Sequence, residues 1–316
     1  MKGEAMPIAT ALETSHDLPA TPDPGSVPIG AAATMPAPQA VRFDAWDGHP
    51  LTGHWTLPAD STRVTVIHPA TAVPQRYYLA FASWLAARGH AVFVYDYRGI
   101  GLSRSGSLRG FRASMDEWIH SDAPAAMEHA RTRFPDLPLS VVGHSLGGHA
   151  LIMNGTLTHA TSAAFVGSGS GYWGFTRGLL RLQRLTVWNV LFPGFLNTLG
   201  YVPGWAGIGE DLPHGVASQW RNRCMNPAYF ESRIADEIRQ NLRDLQFTVR
   251  SYAFTDDDYI NPDAVNDFAQ YFPEGRFELR TLSPAQAGRR SIGHFRAFRP
   301  DDTNQLWNDI AGWLEA

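Results

Sequence analysis

Ser145 stands in Gly143-His144-Ser145-Leu146-Gly147, behind the apolar run Leu139-Ser140-Val141-Val142 and ahead of the helix-forming Ala150-Leu151-Ile152-Met153. Strand, sharp turn and helix in that order are the setting in which Gly-x-Ser-x-Gly lifts a serine hydroxyl clear of a sheet. Small residues flank the serine because neighbouring backbone passes close to the turn. A hydroxyl presented this way attacks an acyl carbon once a base takes its proton. The Leu146 amide, at the start of the helix, would face the negative charge that forms beside Ser145. A glycine-rich turn with an incidental serine is the plainer alternative, and the strand-to-helix setting favours the nucleophile.

The serine needs a base, and the base needs an acid to orient it. Four histidines follow: His149, His159, His214 and His294. His149 is one turn into the helix after the serine. His159 precedes a strand, and His214 falls in an insertion. His294, in Ser291-Ile292-Gly293-His294-Phe295, follows the last strand at the sheet edge that carries Ser145, and is the expected base. The acid should follow the strand ending at Phe254, where the chain reads Asp256-Asp257-Asp258-Tyr259-Ile260-Asn261-Pro262. The spacing to Ile260 and Pro262 favours Asp257. Asp256 and Asp258 remain alternatives, one or both of them solvated residues capping the next helix. An oxyanion needs a second backbone donor besides Leu146. The segment His68-Pro69-Ala70-Thr71-Ala72 is placed to give it, and Ala70 is the expected residue because Pro69 has no N–H.

The elements that must position these groups are legible as an alternation. Val41–Trp46 and Leu51–Leu57 flank an Asp47-Gly48 turn and predict a hairpin. Strands follow at 63–68, 91–95, 139–143 and 162–167. Helices are expected over 74–87 and 114–134, the second opened by Ser-x-Asp-Glu. After a gap come a strand at 246–254, a helix near 262–271, a strand at 276–280 and a helix over 302–314. Strand–helix alternation implies a mostly parallel sheet with helices on its faces. Residues 1–39, with recurring prolines and few large apolar side chains, are expected to be disordered. Residues 40–170 and 246–316 form the expected core. Residues 171–245 break the rhythm with many aromatics and no evident strand, and predict a helical cap over the carboxyl ends of the strands.

Bulk composition narrows the function classes. The 316 residues are 44% hydrophobic and 18% charged, with a net charge of −4. No run of Lys and Arg points to nucleic acid, and no apolar run reaches the roughly 18 residues that span a bilayer. The single cysteine, Cys224, allows no internal disulfide, which fits a cytoplasmic protein. No spacing of His, Cys and Asp suggests a metal, and no glycine-rich loop after the first strand suggests a nucleotide, so no cofactor is expected.

Taken together, His68-Pro69-Ala70, Arg76-Tyr77, Tyr95-Asp96-Tyr97-Arg98-Gly99-Ile100-Gly101-Leu102-Ser103, Gly143–Gly148, Asp257 and Gly293-His294-Phe295 resemble the α/β-hydrolase superfamily. The likeness covers roughly residues 41–316 and runs toward the branch that groups monoacylglycerol-lipase-like esterases with the serine aminopeptidases. The cap segment Asp211-Leu212-Pro213 with Trp220-Arg221 looks like an uncharacterised bacterial subgroup of predicted hydrolases. The resemblance implies Ser145 as nucleophile, Asp257 as acid, His294 as base, and Ala70 with Leu146 as the oxyanion hole. It places Asp96 and Arg98 on a structural turn. It implies hydrolysis of a carboxylic ester with a hydrophobic acyl or alcohol group, through an acyl-enzyme. Acyl transfer or thioester cleavage would use the same groups. An aminopeptidase would need an acidic pair for a free amine, with Glu210-Asp211, Glu231 and Asp236-Glu237 as candidates. A non-catalytic ligand binder on the same frame is the remaining reading. The family's usual His-Gly after the third strand is His68-Pro69 here, a departure in the oxyanion loop.

Overall fold

The apolar runs pair into one eight-stranded sheet. The computed structural model describes residues 37–301 and 303–316; of the segment expected to be disordered, residues 1–36 lie outside the described residues. The strands are β1 (Gln39–Asp44), β2 (Pro50–Thr56), β3 (Arg63–His68), β4 (His90–Tyr95), β5 (Leu139–His144), β6 (Ser162–Val166), then β7 (Tyr201–Val202), β8 (Leu212–Pro213), β9 (Val249–Phe254) and β10 (Phe277–Leu282). The large sheet has the order β1-β2-β4-β3-β5-β6-β9-β10. The hairpin β1–β2 and the β2–β4 pair are antiparallel, and every other neighbour is parallel. The chain has the α/β-hydrolase fold, with helices on both faces of a mostly parallel sheet.

The central strands read as unbroken apolar runs because helices cover both faces. Every residue of β4 and β5 is buried. Side chains alternate across the pleat, so Val66, Phe93 and Val141 feed one core while Ile67, Val94 and Val142 feed a second on the other face. Trp55 and Trp118 fill the first core; Phe81 and Trp307 pack against each other in the second.

The helix expected over 114–134 begins as the sequence signals. Ser114 Oγ accepts from the Glu117 amide at 3.1 Å, and Glu117 returns the bond to the Ser114 amide at 2.7 Å. A π-helical turn at Trp118–Asp122 leads into the regular helix Ala123–Arg133. Asp122 is fully buried there and clasps Arg98, which also reaches Asp47 and Glu117. That cluster, and Asp96 holding the Gln75 and Leu102 amides at 2.6 and 2.8 Å, fasten the turn after β4.

Residues 171–245 contain the helices Gly178–Thr186, Phe192–Thr198, His214–Met225 and Ser232–Leu242. They also hold the antiparallel pair β7–β8, which corrects the expectation of no strand before residue 246. Two residues per strand are too few to show a period in the sequence. β9 starts at Val249, three residues later than expected.

Candidate active site

Three loops at the carboxyl rim of the parallel strands bring the expected residues together. Ser145 follows β5 with φ +50° and ψ −113°, a conformation unfavourable for a residue with a side chain. The turn is held by the Ser145 amide on the Val166 carbonyl at 3.0 Å. It closes only because its glycines lack side chains. A Cβ on Gly143 would lie 2.6 Å from the Gly148 nitrogen, and one on Gly147 would overlap the His68 carbonyl. The helix Leu146–Met153 starts immediately after, so the Leu146 amide has no acceptor within the helix, and Leu146 lines the cavity beside Ser145.

His294 lies between Ser145 and Asp257. Its Nδ1 is 2.8 Å from Asp257 Oδ2, and its Nε2 is 3.0 Å from Ser145 Oγ. A carboxylate only accepts, so Nδ1 carries the hydrogen and the Nε2 lone pair faces the serine hydroxyl. Asp257 Oδ1 accepts from the Tyr259 and Ile260 amides at 2.7 and 2.9 Å, which holds the carboxyl group in place beside His294. Asp257 and His294 are both buried, at 3% and 8% exposure. The array can pass a proton from the serine to the imidazole while the carboxylate steadies the charge.

The three adjacent aspartates separate by geometry. Asp256 Oδ2 accepts from the Ile292 amide at 2.8 Å, so this residue pins the loop that carries His294. Asp258 is exposed, and its carbonyl, not its carboxylate, is engaged, by Arg184 Nη2 at 2.7 Å. Of the other histidines, His149 bonds the Gly169 carbonyl at 3.0 Å, His159 is exposed before β6, and His214 opens the helix His214–Met225 on the surface.

One expectation needs correction. The Ala70 amide, expected as the second oxyanion donor, donates to Tyr78 Oη at 2.9 Å. Its hydrogen is directed at a wholly buried hydroxyl, not toward Ser145. Thr71, the next residue, lines the cavities on both sides of Ser145, and its amide has no partner among the described residues.

Tyr78 belongs to a chain that sequence reasoning missed. Tyr78 Oη lies 2.7 Å from His144 Nδ1, and His144 Nε2 lies 2.9 Å from the His294 carbonyl. The carbonyl only accepts, so His144 Nε2 donates and Tyr78 donates to Nδ1. Burial pushes His144 down to about 3, so it stays neutral and keeps both bonds. Tyr77 Oη adds a bond to the Phe295 carbonyl. The variable position inside Gly-x-Ser-x-Gly was the available signal for His144; nothing in the pattern marked Tyr78.

The cavity beside Ser145 is roofed by the insertion. Arg184, Trp188, Trp220, Cys224 and Tyr229 line it with Thr71, Leu146, His149, Tyr259 and Ile260. Trp188 and Trp220 meet edge to face at 5.1 Å. The cleft holds about 420 Å³ free of protein atoms, part of it open to solvent.

Residues 61–210 match the family described as "Serine aminopeptidase, S33". An Escherichia coli K12 relative bearing the name "Uncharacterized protein YfhR" is 30% identical over 157 residues, 42% of this chain and 53% of that protein. The chain therefore spans about half the length of that relative. Among solved structures, a monoglyceride lipase from Saccharomyces cerevisiae in complex with a substrate analog is similar at TM-score 0.61 and 14% identity, over 92% of this chain and 98% of that one. The esterase domain of a Rhodothermus marinus protein is similar at TM-score 0.53 and 14% identity, over 88% and 97%. At such identities the structural likeness speaks for the fold. No helix among the described residues is long and apolar enough to cross a membrane. With its sheet order and its serine turn the chain has the α/β-hydrolase fold, and over residues 61–210 it is similar to the serine aminopeptidase family.

Proposed function

We propose that the protein hydrolyses a carboxylic ester through an acyl-enzyme on Ser145, with His294 as base and Asp257 as the acid that orients it. The observation that carries this is the continuous path from Asp257 Oδ2 through His294 to Ser145 Oγ, at 2.8 and 3.0 Å. In acylation the serine oxygen bonds the acyl carbon while Nε2 takes its proton. The imidazolium then gives that proton to the departing alcohol. In deacylation a water, deprotonated by the same nitrogen, releases the acid. Leu146 supplies one oxyanion donor. The second is Thr71, whose amide is uncommitted where that of Ala70 is bound by Tyr78.

The aromatic lining supports a substrate with a hydrophobic acyl or alcohol part, as do the lipase and esterase among the similar structures. An aminopeptidase fits less well. It would need a carboxylate aimed into the cavity, and no Asp or Glu lines either side of Ser145. Glu210 is held by Arg76 and the Gly101 amide, Asp211 by Arg104 and the Gly204 amide. Asp236 and Glu237 pair with Arg239 and Arg233, and Glu231 is exposed. The buried free thiol of Cys224 suits a reducing, cytoplasmic setting. A panel of p-nitrophenyl esters of two to twelve carbons, with aminoacyl p-nitroanilides and acyl-thioesters beside it, tests the reading. Ester turnover abolished by Ser145→Ala supports it. Turnover confined to the anilides would overturn it.

A further inference from the structure

The cavity beside Ser145 is lined by one permanently charged side chain, and it is a cation. Arg184 reaches it from the helix Gly178–Thr186. Two contacts fix its guanidinium. Nη2 donates to the Asp258 carbonyl at 2.7 Å, and the guanidinium carbon sits 4.1 Å from the centre of the Tyr259 ring. Tyr259 in turn stacks on the His294 imidazole at 5.5 Å and 24°. One aromatic ring therefore separates the cation from the proposed base.

What Arg184 lacks is an anion. Five other arginines of the insertion, Arg177, Arg223, Arg233, Arg239 and Arg243, have carboxylate partners in Asp263, Asp116, Glu237, Asp236 and Asp244. Arg181 packs over Trp173 and Arg221 bonds the Trp188 carbonyl, and neither lines the cavity. No carboxylate among the described residues lies within ion-pair distance of Arg184, and Asp258 offers it a carbonyl. Its remaining N–H donors have no partner among the described residues. A half-buried guanidinium has surrendered part of its hydration. A carboxylate entering beside it would restore that loss with charge-assisted, forked hydrogen bonds.

We propose that Arg184 binds an anionic group of the substrate, so that the preferred ester carries a free carboxylate a few atoms from the scissile bond. The simplest such substrate is the half-ester of a dicarboxylic acid: the aromatic walls take its methylene chain and the guanidinium its far end. This inference rests on the acyl-enzyme reading and adds the substrate class to it.

The test compares p-nitrophenyl valerate with mono-p-nitrophenyl glutarate, which have acyl chains of equal length but differ in terminal charge. Spontaneous hydrolysis is subtracted. Wild type favours the glutarate ester. In Arg184→Gln the glutarate-to-valerate ratio of kcat/KM falls about 10- to 100-fold, through KM, and Arg184→Lys retains part of it. A ratio unchanged in both variants overturns the proposal. Calorimetric titration of Ser145→Ala with monomethyl glutarate and methyl valerate reads the anion site without turnover. Binding of the glutarate that disappears in Ser145→Ala/Arg184→Gln upholds the site, and its absence in Ser145→Ala overturns it. If wild type cleaves neither ester while the titration succeeds, the acyl-enzyme reading fails and the anion site stands.

Discussion

The rim of the sheet and the helical insertion above it are built by different means. At the rim, the polar groups behind Ser145 direct one another: Asp257 is held by two amides, His294 by Asp257, the His294 carbonyl by His144, and His144 by Tyr78. The insertion is held by aromatic edges and scattered surface ion pairs. It leaves Leu179, Leu182 and Val190 exposed. Directed hydrogen bonds fix positions to fractions of an ångström, as proton transfer requires. Apolar packing tolerates substitution of similar volume. On the proposed reading, the rim decides whether the reaction occurs and the insertion decides on what.

The sharpest break in that contrast is Ser145→Ala, which removes the proposed nucleophile. It lowers kcat on any cleaved ester by roughly 10⁴-fold or more, with the melting temperature near wild type because alanine keeps the backbone of the turn and loses only the hydroxyl. Loss of activity with loss of fold, seen by circular dichroism, would count against a purely chemical role. Next is the aspartate run. Asp257→Asn lowers kcat by roughly 10³- to 10⁴-fold. Asp256→Asn, which only loosens the loop before His294, lowers it about tenfold, and Asp258→Asn leaves it within about twofold. Steady-state rates of the three variants that came out in another order would move the acid.

Tyr78→Phe probes the chain that ties the oxyanion loop to the His294 loop. It strips partners from the Ala70 amide and His144 Nδ1, and costs about 1–3 kcal/mol of stability. It lowers kcat about tenfold with little change in KM, by denaturant melts and kinetics. Trp220→Ala, in the insertion, shifts the preferred acyl length and changes kcat/KM for any one ester by only about three- to tenfold. An equal loss across the whole chain-length series would mean that Trp220 supports the rim.

The smallest expected effect is on pH and stability. Burial pushes His68, His144 and His149 down to about 3, against an ordinary 6.5. As pH falls through 6.5 toward 3, the unfolded chain binds three protons that the folded chain refuses, so stability falls with acid. Asp96 and Asp122 oppose this. Burial raises each to about 6 from 3.8, so the folded chain holds two extra protons between those values. Three histidines against two aspartates, with the histidine shifts larger, leave a net loss on acidification. Melting temperatures at pH 7.5 and 5.0 should fall in that order, and an unchanged or rising value would contradict the burial assigned to these groups.

The same contrast explains what was legible in the sequence. β3 falls at residues 63–68 as expected, and β4, β5 and β6 within one residue, because a strand buried on both faces must be an unbroken apolar run. The Ser114 cap was legible because its bonds are local. Asp257 could not be separated from Asp256 and Asp258, because what separates them is contact with His294 and Ile292, over thirty residues away. Ala70 is the expected donor because Pro69 has no N–H, and the occupying hydroxyl of Tyr78 comes from eight residues further along. In the insertion, β7–β8 and the unpaired Arg184 depend on packing that leaves no period in the sequence.

The most direct test of the central claim is covalent. A fluorophosphonate should modify wild type once, with the adduct on the peptide bearing Ser145 by mass spectrometry, no adduct in Ser145→Ala, and strongly slowed labelling in His294→Ala. Labelling that persists in Ser145→Ala, or that proceeds at full rate without the imidazole of His294, would contradict the account.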